Sequence, residues 1–581
     1  MINEEIADIF EKMSRVLAFK GANRFRALAY ERAARSLRDL EEDLTEVARR
    51  GELEEIPGIG KDLAGKIQEY IKTKRIRLYD QERRDVPEGL IALMDIPGLG
   101  PKTLSLLHEK YRIKDLDDLR RALDTGELEK LRGFGKKKVE NLRRGVNLWL
   151  AGHQRMPLGV ALPMAERLLE DLKKIERVER ADIAGSLRRR RETIGDFDLL
   201  VSSPDSPRAL REFTRLPLVK QVIELGDTRA TVIIEGGVQV DVRAVAGESY
   251  GAALQYFTGS KQHNVHLRTL AQRKGLKVNE YGVFRGEKRL TRSAEEDEVY
   301  RLVGVPVMPP ELREDRGEIE AAMEGRLPKL IEMADLRGDL HTHTNYSDGR
   351  ATIEEMVEGA AALGYDYIAL TDHSPSARIA RGLDRDRLEK KIAEIERVQK
   401  QRGRRKLQIL LGAEVDILAD GKLDYPEDIL ARFDVVVAAV HSSFRQSRDR
   451  MTKRMLDAIN NPYVHILAHP LTRLMGSREP VEFDFERIIE AAVEAGVALE
   501  LNSQPLRLDL TDTMARAAQE AGALLAINTD AHSVGQLELM RYGVSQARRG
   551  WVEARSVVNS WTWAKLSRWL VHRRRRESKA A

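Results

Sequence analysis

The chain has 581 residues, no cysteine, 33% charged and 42% apolar side chains, and a net charge of +5. A chain this long and this polar is expected to form several soluble domains, and no apolar run approaches the ~20 residues of a membrane span. Without cysteine it has neither disulfides nor thiolate-bound zinc, so a metal can sit only on His, Asp and Glu. The opening MINEEIADIFEKM is acidic and amphipathic rather than basic and then apolar, so no secretion signal is read there and a cytoplasmic protein is expected. The net charge alone is a weak argument for a nucleic-acid partner; where the charges lie says more.

Residues 23–40, NRFRALAYERAARSLRDL, alternate arginine with apolar residues at helical spacing. They predict an amphipathic helix with a basic face, for which a solvated surface is the plainest explanation. Three later segments share one design: IPGIGKDLAGKI at 56–67, IPGLGPKTLSLL at 96–107 and LRGFGKKKVENL at 131–142. Each reads as a glycine turn entering a helix, where the backbone can come close to a ligand and the free amides of the first turn can hold a phosphate. Lys61, Lys102, Lys136 and Lys137 fall where that phosphate would sit. The three segments resemble helix-hairpin-helix motifs, which grip the DNA backbone without reading bases. Together with the basic helix they resemble the small lyase-type domain of family X DNA polymerases, in which a helix-borne lysine can form a Schiff base with an abasic sugar. Lys66, in GKDLAGKIQEY, matches that place. Schiff-base chemistry needs an ammonium of lowered pKa, which sequence does not reveal, so a simple phosphate contact is the preferred reading of Lys66.

In AGSLRRRRETIGDFDLLVS, residues 184–202, Asp196 and Asp198 stand two apart in a strand-like run and so share a face. Asp241, in GVQVDVRAV, lies in a second such run able to pair alongside. Three carboxylates with two Mg2+ or Mn2+ ions are the usual apparatus for transfer from a triphosphate, one ion activating a 3′ hydroxyl and the other steadying the pyrophosphate. An Asp-x-Asp pair alone is common; preceded by Gly185, Ser186 and an arginine cluster it signals a nucleotidyltransferase, with Ser186 and Arg189 receiving the triphosphate charge. SYGAALQYFTGSKQHNVHLR at 249–268 and NEYGVF at 279–284 extend the resemblance to family X polymerases. It implies that Tyr256 and Phe257 lie against the sugar of the incoming nucleotide, with a turn at Gly259 beside it. It also implies that Asn264 meets a base edge in the minor groove and that Arg268 touches the template. Taken alone, Tyr256 and Phe257 would read as an aromatic core pair. Lys261 departs from eukaryotic relatives such as DNA polymerase beta, which carry an acidic residue there; a cation in that place would tighten triphosphate binding.

Beyond residue 335, apolar runs end one after another in a potential metal ligand. LRGDLHTHTNYSDG brings His341, His343 and Asp348; YDYIALTDH brings His373; LQILLGAE brings Glu414; VVVAAVH brings His441; YVHILAH brings His469; and ALLAINTDAH brings Asp530 and His532. A parallel barrel gathers the carboxyl ends of its strands on one face, so ligands far apart in sequence would converge there. Nine nitrogen and oxygen ligands exceed the needs of one cation and imply two or three ions of zinc, manganese or iron. Metal-assisted phosphoester hydrolysis is the natural chemistry of such a cluster. His465 falls before the end of its run and reads as a packing or supporting group. In this order the motifs resemble the polymerase and histidinol phosphatase (PHP) domain, a seven-stranded barrel of phosphoesterases, over residues 335–575. The resemblance implies one metal on His341, His343, Glu414 and Asp530, with Glu414 bridging to a second on His441 and His469. A third would sit on Asp348, His373 and His532.

These blocks predict a multidomain chain. Helical helix-hairpin-helix domains occupy 1–80 (lyase-like) and 81–152 (fingers-like); an α/β nucleotidyltransferase palm with a nucleotide-contacting subdomain occupies 153–311. A charged helical linker spans 312–335, and a distorted (β/α)7 barrel 336–581. The arginine run near the C-terminus reads as a solvated tail able to add a nonspecific DNA contact. The whole resembles a bacterial family X DNA polymerase fused to a PHP phosphoesterase. Such a protein is expected to be a monomeric base-excision-type repair enzyme, associated with the nucleoid when bound to DNA, that fills short gaps in gapped or nicked DNA from deoxynucleoside triphosphates. The resemblance adds a metal-dependent 3′–5′ exonuclease, 3′ end-processing and apurinic-site endonuclease activity in the barrel. Two other readings stand beside it: a barrel that is a small-molecule phosphatase, and a noncatalytic scaffold for DNA ends. A scaffold has no use for clustered, mutually repelling carboxylates.

Overall fold

The structure, a computed structural model, describes residues 2–38, 40, 44–84, 86–96, 98–131, 134–291, 294–402 and 407–575. Arg132 and Gly133 of the third glycine hairpin lie outside the described residues, and so do the side chains of the arginine run from Arg573 onward. Contacts divide the chain into two compact units, residues 1–154 with 476–478, and residues 155–475 with 479–581. Among the described residues no helix is long and apolar enough to cross a membrane.

The first unit is helical. α1 (Ile2–Phe19) and α2 (Arg24–Arg38) bury Ile6, Phe10, Met13 and Leu17 with Tyr30, Ala33, Ala34 and Leu37, spaced by three and four so that one stripe of each helix turns inward. The basic face of α2 is exposed, and Arg26 and Arg35 pair with Glu82 and Glu31 at 3.5 and 3.6 Å, a solvated arrangement. α3 (Lys61–Thr73), α4 (Pro101–Tyr111) and α5 (Lys136–Gln154) each follow a glycine turn closed by the same bond. Ile59 donates to the Ile56 carbonyl, Leu99 to Ile96 and Phe134 to Leu131, at 2.9, 2.9 and 2.8 Å. Ile56, Ile59, Ile96, Leu99 and Phe134 are buried, so each turn is anchored on the core while the helix that leaves it starts at the surface.

The second unit opens with α6 (Leu158–Lys173) and a five-stranded sheet: β1 (Arg180–Ile183), β2 (Asp196–Ser202), β3 (Val219–Leu225), β4 (Arg229–Ile234) and β5 (Gln239–Val245), in the order β1-β2-β5-β4-β3. β2 and β5 run parallel and place Asp198 opposite Asp241; the other pairs are antiparallel. Strand alternation sends Phe197, Leu199 and Val201 into a core shared with Leu162, Ala165 and Leu168 of α6, and turns Asp196 and Asp198 to the other face. α7 (Tyr250–Thr258) and α8 (Lys261–Arg273) follow, joined at Gly259 and capped by the Ser260 hydroxyl, which accepts from the His263 N–H at 3.2 Å.

Residues 312–335 do more than connect. Arg313 is 1% exposed, bonded to the Met308 carbonyl and to Glu296. Glu318, which opens α9 (Glu318–Met323), is fully buried and accepts from His263 at 2.7 Å and from the Asp315 and Arg316 amides at 2.8 and 2.6 Å. Glu314 is held by Arg189 at 3.1 Å and by Arg549 at 2.9 Å. Arg313, Glu314 and Glu318 are thus internal, while Glu320, Glu324, Arg326, Lys329 and Glu332 of the same segment are exposed.

Seven parallel strands then follow in sequence order: β6 (Gly338–Thr342), β7 (Tyr367–Leu370), β8 (Gln408–Asp416), β9 (Val435–Ala439), β10 (Ile466–Leu467), β11 (Ala498–Asn502) and β12 (Leu524–Asn528). A parallel bridge from Thr342 to Ala531 brings the last strand back to the first, giving a nearly closed barrel. Tyr367, Ala369, Val435, Val437, Ala498 and Ala526 fill its interior with Trp561 and Leu566, while Ile368, Val436, Leu499 and Leu525 meet the surrounding helices. His465 spends both ring nitrogens on backbone, taking the Val436 N–H at 3.2 Å and facing the Leu570 carbonyl at 3.1 Å.

Candidate active sites and nucleic-acid interface

The side chains of β2 that turn away from the core border a cavity of about 500 Å³. Its lining includes Gly185, Ser186, Arg189, Asp196, Asp198, Tyr256, Phe257, Gly259, Lys261, Asn264 and Arg268, together with Arg155 and Arg191. Sequence reasoning thus placed most of this wall and missed Arg155, which is fixed by Thr193 at 3.0 Å and lies in no motif. Two aspartates face five cations across the cavity, an arrangement able to hold a divalent ion on one side and phosphates on the other. Burial pushes the Asp198 carboxyl up to about 7, with the charges of Asp196 and Asp241 adding to it. Three clustered carboxylates with that strain fit a cation, as does the buried Ser186 hydroxyl, which lacks a hydrogen-bond partner.

Asp241 is beside this cavity rather than in its lining. One of its oxygens accepts from Thr231 at 2.6 Å and Arg229 at 2.8 Å, and the other from Gln239 at 2.8 Å. Against the cost of burial, these bonds lower its pKa and keep it charged. Gly185 has φ +60°, and a Cβ there would lie 1.9 Å from Asp198 Oδ2, so only glycine admits the aspartate. Tyr256 and Phe257 meet edge to face at 5.2 Å, but they are half-buried on the cavity wall and do not form a core pair. Asn264 accepts from Gln255 at 2.8 Å and donates to the Tyr256 carbonyl at 2.7 Å, which leaves one amide hydrogen for a ligand.

In the barrel, all nine expected ligands converge. Glu414 of β8 is the hub: its Oε2 lies 3.4, 3.5 and 3.0 Å from ring nitrogens of His341, His343 and His373. Its Oε1 lies 3.2 and 3.0 Å from His441 and His469. Asp530 Oδ1 is 3.2 Å from His343, while Asp348 Oδ1 faces His373 and His532 at 3.6 and 3.3 Å. Three groups able to hold an ion lie here: His343, Asp348, His373 and His532; His341, His343 and Asp530; and His373, Glu414 and His441, so His343 and His373 are each shared, and His469 reaches the cluster through Glu414. Six of these atoms are buried without a hydrogen-bond partner: His341 Nε2, both nitrogens of His343, His373 Nδ1, His469 Nδ1 and Asp348 Oδ1. Packed imidazoles and carboxylates with this many buried nitrogens and oxygens left without a hydrogen bond fit divalent cations. Burial and the neighbouring His532 and His373 rings lower His343 to about 4, so it is neutral and free to ligate. Although burial opposes it, the surrounding histidines hold Glu414 well below the carboxylate range.

Glu500 of β11 was not anticipated. It is fully buried, accepts from His341 Nδ1 at 2.8 Å and from the His469 amide at 2.8 Å, and so orients two ligands at once. Asp416 does the same for His441 at 2.5 Å. The signal for Glu500 was present in ALELN, an apolar run broken by an acid like LLGAE. Asp530 and His469 hold left-handed backbone, φ +52° and +27°, strain of a kind that gathers at functional sites.

In the first unit, Lys61, Lys102, Lys136 and Lys137 are exposed in the first turns of their helices and have no ion pair among the described residues. Lys66 differs. It is 8% exposed, pairs with Asp62 at 2.5 Å and lies over the Tyr30 ring at 5.8 Å, so a phosphate would have to displace Asp62 to reach it.

Known families match these regions: a helix-hairpin-helix domain at 1–76, a SAM-like helix-hairpin-helix tandem at 90–146, the DNA polymerase beta thumb at 253–314 and the PHP domain at 339–504. The chain is 38% identical over 564 residues to the DNA polymerase/3′-5′ exonuclease PolX of Bacillus subtilis, covering 96% of this chain and 98% of that protein. The chain belongs to the PolX family. The barrel alone is also similar to proteins named probable phosphatase. That of Thermoanaerobacter sp. is 35% identical over 219 residues (34% of this chain, 82% of its own), and that of Caldanaerobacter subterraneus 35% over 223 (36% and 80%). Within this PolX-family chain the thumb match contains Tyr256, Phe257, Gly259, Lys261, Asn264 and Arg268, and the PHP match contains all barrel ligands except Asp530 and His532.

Proposed function

We propose that this protein is a DNA repair polymerase that fills short gaps by template-directed nucleotidyl transfer and trims 3′ ends with the phosphoesterase site of its barrel. The observation that carries the reading is the cavity that combines Asp196 and Asp198 with Arg189, Lys261, Tyr256 and Phe257, in a chain alignable with PolX along almost its whole length. In this reading Asp196, Asp198 and Asp241 would hold Mg2+ or Mn2+, and the nine barrel residues two or three ions of Zn2+, Mn2+ or Fe2+. Ions so bound supply polarisation of the attacking oxygen and neutralisation of the charge on the leaving one. Ser186, Arg189 and Lys261 take the triphosphate, and Tyr256 and Phe257 lie against the sugar. Asn264 offers its remaining N–H to a base edge, and Arg268 meets the template. Glu500 and Asp416 fix the rings of His341 and His441. Lys61, Lys102, Lys136 and Lys137 position gapped or nicked DNA through its phosphates. The protein acts as a monomer in the cytoplasm, on nucleoid DNA.

The test is a one-nucleotide gapped primer-template with a labelled 3′ end, incubated with Mn2+ with and without the four deoxynucleotides. Extension with nucleotides and shortening without them is the expected result. Asp196→Ala removes extension and keeps shortening; His341→Ala does the reverse. Loss of both activities in either folded variant refutes separate sites. The likeness of the barrel to probable phosphatases favours a second reading, in which it acts on small phosphate esters. Extension without shortening, with release of phosphate from small monoesters, selects it.

A further inference from the structure

The rim of the barrel carries cations that neither the ligand cluster nor the folding of the loops uses. The loop after β7 presents Arg378, Ile379 and Arg381, and the loop after β9 presents Arg445 and, as it enters α10 (Arg448–Ile459), Arg450. All five are exposed, Ile379 completely, and none of the four arginines has an ion pair among the described residues. Ser443, Arg445, Gln446, Ser447 and Arg450 border an open hollow of about 550 Å³.

Both loops are fixed to one support, the end of β8 and the segment that follows it. The Ser376 hydroxyl donates to Asp416 Oδ2 at 2.6 Å, while Asp416 Oδ1 holds His441 at 2.5 Å. The Ser376 amide donates to Asp424 at 2.6 Å, the Tyr425 hydroxyl to the Leu383 carbonyl at 2.5 Å and Gln446 to the Ala419 carbonyl at 2.9 Å. Arg454 donates to the Ser442 carbonyl at 2.9 Å. The loops that follow ligands His373 and His441 are therefore held as one surface, with cations along it and an apolar tip between two of them.

Unpaired guanidinium groups beside a bare apolar side chain match a strand whose phosphates recur along its length and whose base faces are open. A small phosphate ester needs only the ligand cluster. We propose that these two loops dock a single-stranded DNA 3′ arm in front of the barrel site, with Arg378, Arg381, Arg445 and Arg450 on backbone phosphates and Ile379 against a base. This rests on the reading of the barrel as a DNA nuclease.

The experiment uses the full-length protein with Mn2+ and two substrates, a 5′-labelled oligothymidylate and bis(4-nitrophenyl) phosphate. The fourfold variant Arg378→Gln, Arg381→Gln, Arg445→Gln, Arg450→Gln should lose about tenfold or more in kcat/KM on the oligonucleotide, through KM, and about 0.7 of salt slope per contact removed. Its hydrolysis of the small diester should stay near that of the unsubstituted protein. Ile379→Ser should raise KM on the oligonucleotide and leave the salt slope alone. Equal losses on both substrates, or no loss on the oligonucleotide, overturn the docking surface. If the unsubstituted protein cleaves the small diester and leaves DNA intact, the nuclease reading fails and the docking surface fails with it.

Discussion

Glu314 is one carboxylate among three guanidinium groups, Arg549 at 2.9 Å, Arg189 at 3.1 Å and Arg191 at 3.5 Å, with 7% of its side chain exposed. Arg189 and Arg549 are themselves 10% and 3% exposed, so Glu314→Leu strands two buried cations. Breaking a buried pair from one side costs about 3–5 kcal/mol, and because Arg549 keeps Asp512 at 2.7 Å the lower end, about 3 kcal/mol, is expected. Arg549→Leu should cost less, since Glu314 retains Arg189 and Arg191. The double variant removes charge from both sides, so the two losses should fail to add by about 1–3 kcal/mol. Urea unfolding followed by tryptophan fluorescence measures this, as four of the five tryptophans, Trp551, Trp561, Trp563 and Trp569, lie in the second unit. Glu314 has a folded pKa below its ordinary 4.5, so its contribution is complete above that value and is lost as pH falls through the folded pKa. The gap between the parent and Glu314→Leu should therefore close in acid. Additive losses within about 0.5 kcal/mol, or a gap that widens in acid, would refute the reasoning.

Three further outcomes are expected. In EDTA, the raised Asp198 pKa of about 7 makes the folded state hold a proton that the unfolded chain releases near 3.8, so stability falls as pH rises between those values. Asp198→Asn should flatten that fall in urea midpoints, leaving the part due to Asp339 and Asp509, which burial also raises to about 7. Gly185→Ala should abolish most nucleotide addition by displacing Asp198, and it adds about 1–2 kcal/mol of left-handed strain; unchanged primer extension would contradict the close approach. Glu500→Gln should weaken Mn2+ binding about 10–100-fold by loosening His341, read by metal titration of the barrel rather than by activity.

The parts of the molecule legible in the sequence share a physical cause. Barrel ligands stand where an apolar run breaks at the carboxyl end of a strand, and the parity of β2 alone puts Asp196 and Asp198 on one face. Glu500 sits in its strand as Glu414 does in its own, but its role depends on contacts with His341, far upstream, and with the His469 amide, which the sequence does not show. Residues 312–335 read as a charged helical linker, and the pattern did not show which charges turn inward, because a helical charge pattern is the same whether a charge meets water or, as for Arg313, Glu314 and Glu318, meets Glu296, Arg189 and His263 from elsewhere in the chain. The pairing of Lys66 with Asp62, four residues before it, was readable from the spacing.

Arg473 is one of the side chains that join the two catalytic regions, beside Arg549 and Arg541. It pairs with Glu192, four residues before Asp196, at 2.7 Å, and donates to the carbonyls of Arg507 and Leu508 at 2.7 and 2.6 Å in the loop whose Arg507 faces Asp530. A clasp of this sort ties the synthetic and degradative centres into one body. The nucleic acid then becomes the travelling component. If a terminus passes between the two centres, the ratio of growth to recession should rise with nucleotide supply, as at a simple kinetic branch.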